Sequence, residues 1–134
     1  MSKGRPYRTF KFEGFEILVG KGDFENDALT FDVAKPEDLW LHVVGYGGSH
    51  VIIRNPESLS SVPREVAVRA AELSAWYSKA RGSRGKVEVH MCRAADVSKP
   101  RNFEAGKVTL NRWTVLKVYP KGPEPSSSGS APSP

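Results

Sequence analysis

The stretch Asp38–Arg54 decides the fold, and it reads DLWLHVVGYGGSHVIIR. Its first half alternates with the period of two that is typical of a β-strand, so that one face is apolar, with Leu39, Leu41 and Val43. The opposite face receives a carboxylate, an indole and an imidazole, from Asp38, Trp40 and His42. Glycines at positions 45, 47 and 48 interrupt this strand, and the β-branched run after them favours a second one. The stretch therefore predicts two strands that flank a glycine loop.

Further strands are predicted on both sides of this pair. Apolar and polar residues alternate between residues 10 and 19 around a Glu-Gly turn, which predicts an N-terminal hairpin. The same alternation predicts a strand over residues 86–91, and the segments 107–110 and 113–119 are predicted to form a closing hairpin. The sheet is expected to be mixed and mostly antiparallel.

Residues 63–81 carry the clearest helical pattern. Proline suits the first turn of a helix, an apolar stripe recurs at helical spacing from Val66 to Tyr77, and Gly82 is placed to cap the end. Residues 23–30 predict only a short helical turn. The predicted fold class is therefore α+β, with a mixed, mostly antiparallel sheet packed against one long helix.

Length and composition favour a single domain over about residues 7–120 of the 134. Residues 1–6 are expected to form a flexible leader. The segment 121–134, KGPEPSSSGSAPSP, is expected to be a disordered Pro/Ser-rich tail, because it contains too little apolar surface to offset the entropy of ordering. No run is apolar enough to cross a bilayer, and the one cysteine, Cys92, fits a reducing compartment, so we expect a cytoplasmic protein without membrane contact.

Positive charge is concentrated in the second part of the chain. Residues 1–79 hold ten Lys and Arg against eleven Asp and Glu, whereas residues 80–134 hold ten against four. Clustered cations favour a polyanionic partner, since neutralising phosphates releases bound counterions. The charge is therefore a first indication of nucleic acid, although a well-solvated basic surface would have the same composition.

Three histidines, His42, His50 and His90, are the candidates for acid–base chemistry near neutral pH. Neither their spacing nor the lone cysteine matches a zinc motif, and the glycine loop lacks the following Lys-Ser/Thr of a P-loop, so no metal or cofactor is predicted. Two interpretations remain for the polar strand face. Trp40 either packs in the core while Asp38 binds His42, or these side chains form a platform on which unpaired bases stack. The residues alone leave both open.

Several strings of this chain resemble the NFACT-R family in their order and spacing. They are GFEILVGK at 14–21, NDALT at 26–30, DLWLH at 38–42, GSHVII at 48–53, AA at 70–71, YSKA at 77–80, VSKP at 97–100 and GKV at 106–108. The resemblance extends over about residues 10–120. Family members often carry arginine where Lys21 stands, and proline where Gly47 and Ala105 stand. Lysine keeps the charge but cannot make the two parallel hydrogen bonds of a guanidinium.

The resemblance implies an RNA-binding module of the ribosome quality-control machinery. In NEMF-like and fibronectin-binding-protein-A-like factors, this module helps to engage tRNA and the large ribosomal subunit while stalled nascent chains are extended. The other modules of those factors have no counterpart in these 134 residues. We therefore expect a standalone domain without that extension activity.

The expected function is non-catalytic binding of tRNA or rRNA, with the large ribosomal subunit as a candidate partner. Basic side chains would contact phosphates, and the imidazoles and the indole would contact ribose or base. The expected binding residues are Lys21, Asp38, Trp40, His42, Gly48, Ser49, His50, Arg54, Lys79 and Lys99. Three alternatives remain: a DNA-binding module, an adaptor for another protein, and a small hydrolase or transferase that uses Asp38 with His42 or His50.

Overall fold

A six-stranded antiparallel sheet forms the centre of the computed structural model, which describes residues 5–123. The chain contributes β1 (Tyr7–Phe12), β2 (Phe15–Gly20), β3 (Leu39–Val43), β4 (Val51–Ile53), β5 (Val87–Arg93), β6 (Val97–Ser98), β7 (Thr109–Leu110) and β8 (Thr114–Val118). The order across the sheet is β1-β2-β4-β3-β5-β8, while β6 and β7 form a separate two-stranded ribbon. The predicted N-terminal hairpin and the pair of strands around the glycine loop are confirmed.

The predicted closing hairpin is wrong. Its two segments become β7 and β8, but β7 pairs with β6 and β8 pairs with β5. Leu116 and Val118 of β8 belong to the larger apolar cluster, on one face of the sheet, whereas Leu110 of β7 packs against a smaller cluster on the opposite face. The two segments therefore serve different layers.

Two helices replace the one long helix that was predicted: α1 (Asp23–Ala28), which continues into a π-helical turn, and α2 (Arg64–Trp76) of 13 residues. α2 ends before the predicted boundary at residue 81 because the next residues pair with the glycine loop. The Tyr77 carbonyl accepts a hydrogen bond from the Ser49 amide at 3.0 Å, and the Lys79 amide donates to the Gly47 carbonyl at 2.8 Å. These bonds satisfy backbone groups that a longer helix would have used internally.

The sheet separates two apolar clusters of unequal size. α2 covers one face with small and β-branched residues, and its Val66, Ala70 and Leu73 are fully buried against the sheet. On the second face, α1, its π-helical turn and the β6-β7 ribbon cover Leu18, Trp40, Ile52 and Cys92. This cover reaches only part of the second face, since Trp113 and Val115 beside β5 are about half exposed.

Residues 121 and 122, the first of the predicted tail, lie against α2. The guanidinium of Arg69 donates to the carbonyl oxygens of Lys121 at 3.1 Å and Gly122 at 2.6 Å, and Gly122 lies on the indole of Trp76. Residues 124–134 of the predicted tail and residues 1–4 of the predicted leader lie outside the described residues. Within residues 5–123, no helix has the length and apolar character needed to span a membrane.

Candidate nucleic-acid interface

Asp38 joins the ends of β3 and β4 below the surface. Its side chain accepts hydrogen bonds from the amides of Asn55 at 2.7 Å and Lys35 at 2.9 Å, and from Nε of Arg54 at 3.1 Å. The residue is 1% exposed, so no partner reaches it. Arg54 is held in this ion pair. Asp38 therefore acts inside the fold, and the expectation that it contacts RNA directly needs correction, whereas the Arg54 side chain remains 30% exposed.

His50 occupies a second buried position, at the start of β4. Its Nε2 lies 3.1 Å from the Gly106 carbonyl oxygen, which accepts only, so Nε2 carries the proton. Nδ1 then accepts a hydrogen bond from the Thr30 hydroxyl at 2.8 Å. Burial, with a smaller contribution from the neighbouring His42, lowers the pKa of His50 to about 4. The imidazole is therefore neutral at physiological pH and connects three segments of the chain.

The predicted aromatic residues of β3 pack against His50 instead of forming an open platform. Trp40 and His42 stack with ring centroids 6.0 Å apart, and both meet His50 edge to face, at 5.1 and 5.5 Å. Trp40 is 3% exposed, whereas His42 is only partly buried. Burial lowers the pKa of His42 as well. Trp40 and His50 thus belong to the core, and His42 lies at its margin.

Asn26 holds the glycine loop in place. Its side chain donates to the Gly48 carbonyl at 3.2 Å and accepts from the His50 amide at 3.0 Å, while it is almost fully buried. The Ser49 hydroxyl donates to the Gly20 carbonyl at 2.6 Å. Gly48 approaches α2 so closely that an added Cβ would lie 2.5 Å from Cβ of Ser78. Only glycine fits there without movement of the backbone.

Four exposed cations surround this fixed loop. They line a shallow depression, here called the basic groove, which consists of Arg8, Lys21, Gly47, Gly48, Ser49, Tyr77, Lys79 and Arg81, with Asp23 as its carboxylate. The Arg8 guanidinium lies over the Tyr77 ring at 4.8 Å. That of Arg81 lies over Trp76 at 4.3 Å and donates to the Trp76 carbonyl at 2.7 Å. The groove combines a rigid backbone with concentrated positive charge.

The basic groove brings together four of the ten expected residues: Lys21, Gly48, Ser49 and Lys79. Lys99 lies elsewhere, and its ammonium donates to the carbonyls of Glu104 and Lys107 at 2.6 Å and faces Asp27 at 3.4 Å. It closes the loop 100–107 against α1. The Lys99 ammonium therefore stabilises this loop and does not line the basic groove.

The model of the NFACT protein RNA binding domain matches residues 5–112. The chain belongs to this family. The chain is also 43% identical, over 117 residues, to the Rqc2 homolog RqcH of Streptococcus suis (strain 05ZYH33). That alignment covers 87% of the chain and 20% of the relative. The Rqc2 homolog RqcH of Bacillus subtilis (strain 168) is 36% identical over 80% of the chain and 18% of its own length. The chain thus spans about a fifth of the curated relatives it matches.

A solved structure of a similar protein has the same fold. It is the C-terminal part of the fibronectin/fibrinogen-binding protein from Streptococcus suis, which superposes with a TM-score of 0.80 at 38% identity. The alignment covers 90% of this chain and 47% of that one.

Sequence reasoning missed four residues of this NFACT-R site. Arg8 and Arg81 line the basic groove, while Asn26 and Thr30 hold its loop and His50 from within. Asn26 and Thr30 are the first and last residues of the string NDALT, which resembles the family. The resemblance therefore pointed to this segment. Their partners lie 20 or more positions away in the sequence, which local spacing does not reveal.

Proposed function

We propose that this chain is a non-catalytic RNA-binding domain that engages tRNA or rRNA in ribosome quality control. The basic groove carries the proposal, because four exposed cations converge there on a loop that is fixed by the Asn26 side chain, by the Ser49 hydroxyl and by backbone bonds to Tyr77 and Lys79. Membership of the NFACT protein RNA binding domain family supports RNA as the ligand. The names of the RqcH relatives support the ribosomal context.

The groove suits a phosphate backbone. Lys21 and Lys79 are exposed, and both line the groove beside the glycine loop. Two arginines resting on aromatic rings lose less side-chain entropy when they bind, since their positions are already restricted. Phosphate contacts of this kind determine affinity and its salt dependence, without reading sequence.

A hydrolase or transferase that uses Asp38 with His50 finds no support in this arrangement. A general base needs a lone pair within reach of substrate. Asp38 uses its carboxylate oxygens on two backbone amides and Arg54, and both ring nitrogens of His50 have protein partners. These groups therefore serve the fold.

Binding of labelled tRNA, an rRNA fragment and a duplex DNA of matched length, measured by fluorescence anisotropy, tests the proposal. We expect the affinity for RNA to fall steeply between about 50 and 200 mM salt. The double variant Lys21→Ala/Lys79→Ala should weaken binding and lower the salt slope by about two, since each phosphate contact contributes about one. The matched control is Lys11→Ala/Lys35→Ala, which removes two exposed lysines outside the groove.

Three results would contradict the proposal. The first is salt-independent or undetectable binding to both RNAs. The second is an equal loss of affinity in the control variant, which would indicate a diffuse charge effect. The third is equal affinity for DNA and RNA, which would favour the DNA-binding alternative, because recognition of the ribose 2′-hydroxyl distinguishes the two polymers.

A further inference from the structure

The second face of the sheet remains open over β3, β5 and β8. His42, His90 and Val115 lie side by side across these strands, as their register pairs His42 with His90 and His90 with Val115. Trp113 packs on His90 with ring centroids 5.1 Å apart and planes inclined by 37°. Trp113 is 48% exposed, Val115 47% and Tyr119 55%. Large rings therefore meet solvent on adjacent strands.

Positive charge borders these rings. Lys86 places its ammonium 5.7 Å from the centre of the Tyr119 ring. Lys117 stands beside Glu88 at 3.9 Å in an exposed ion pair, and Arg112 is exposed next to Trp113. Three cations thus stand against two carboxylates, Glu88 and, near Trp113, Asp96, which favours a polyanion over a basic or neutral partner.

We propose that this ring face, which consists of His42, His90, Trp113, Val115 and Tyr119, is a stacking site for unpaired bases of an RNA. The inference rests on the proposed function, and it adds a second site with a different chemistry. The basic groove contacts phosphates, whereas the ring face contacts bases. Imidazole and indole rings exposed on a sheet surface are the groups on which single-stranded RNA stacks.

A protein partner fits this face less well. The buried centres of protein interfaces are depleted in lysine and in charged residues generally. Here Lys86, Lys117 and Glu88 lie around the rings, and Val115 supplies the aliphatic surface of the central row. A single-stranded segment instead satisfies rings and cations together, because each nucleotide offers a base and a phosphate.

Binding of oligouridylate and oligoadenylate of about twelve nucleotides tests the ring face, with an abasic oligomer of the same backbone as the second probe. Trp113→Ala should weaken binding of the oligonucleotides about tenfold, the size of one lost base stack, and leave the salt slope unchanged. Trp113→Phe should restore most of the affinity, since phenylalanine keeps a ring. The abasic oligomer should bind the wild type and Trp113→Ala equally.

The outcomes separate this inference from the proposed function. If the wild type binds RNA with salt dependence but Trp113→Ala binds both oligonucleotides as well as the wild type does, the ring face is refuted and the groove stands. If no RNA binds at all, both fail together. If Trp113→Ala weakens the abasic oligomer as strongly as the others, or instead abolishes self-association in sedimentation velocity, base stacking is refuted. Urea denaturation of both Trp113 variants verifies that they fold.

Discussion

The buried His50 should make the folded state sensitive to mild acid. Its pKa lies at about 4 in the fold against an ordinary value of 6.5, so the unfolded chain takes up a proton first as the pH falls. Stability is therefore complete above about pH 6.5 and is lost progressively down to about pH 4. The gap between the two pKa values corresponds to about 3 kcal/mol, of which about 2 kcal/mol should be lost between pH 7 and pH 5. The lowered pKa of His42 adds to the loss with the same sign.

Urea denaturation at several pH values, followed by tryptophan fluorescence, measures this loss. His50→Gln is the variant to compare, because its amide stays neutral throughout and retains one donor and one acceptor for Gly106 and Thr30. The variant should be less stable at pH 7, since the amide cannot match the shape of the ring. It should, however, lose clearly less stability than the wild type on going to pH 5. An equal loss in both proteins, or an NMR titration of His50 with a midpoint near 6.5, would refute the reasoning.

Two further perturbations test the frame of the site by urea denaturation. Asp38→Asn should cost about 2–4 kcal/mol of unfolding free energy, because an amide nitrogen replaces one of two buried acceptor oxygens beside N–H donors. The control Glu37→Gln changes the neighbouring, exposed carboxylate and should cost less than about 0.5 kcal/mol. Equal costs would contradict the conclusion that Asp38 joins the ends of β3 and β4. Gly48→Ala should cost about 1–3 kcal/mol because its Cβ would overlap Ser78. Gly47→Ala meets only the Lys79 side chain at 3.8 Å and should be nearly neutral, so a similar cost at both glycines would mean that the close approach does not matter.

Alternation was sufficient to predict most of the sheet, because each strand has to place one face against α2. The C-terminal end of α2 was harder to predict from the sequence. Tyr77 and Lys79 extend a pattern that is compatible with a helix, but their backbone pairs with the glycine loop nearly 30 positions earlier in the sequence. The pairing of β7 with β6 was hidden for the same reason. Local periodicity identifies elements, whereas partners depend on contacts between distant segments.

For the site, alternation correctly placed Trp40 and His42 on one face of β3 but did not reveal what covers that face. Its cover comes from α1 and from the β6-β7 ribbon, which belong to other parts of the chain. This cover converts expected contact residues into core residues. The part of the same sheet face that stays exposed lies at β5 and β8. His90 and Trp113 lie there, and neither was among the expected binding residues.

The buried polar residues explain how two separate surfaces can share one rigid frame. Asn26 and His50 brace the glycine loop that forms the floor of the basic groove. The ring of His50 in turn contacts Trp40 and His42, and His42 pairs across the strands with His90 of the ring face. The buried donors of Asn26 and His50 have a strong reason to keep their partners, because an unpaired polar group in the interior costs about 1–3 kcal/mol. The glycine loop is therefore held in place within the fold, so we expect less ordering entropy to be lost when the proposed groove binds RNA.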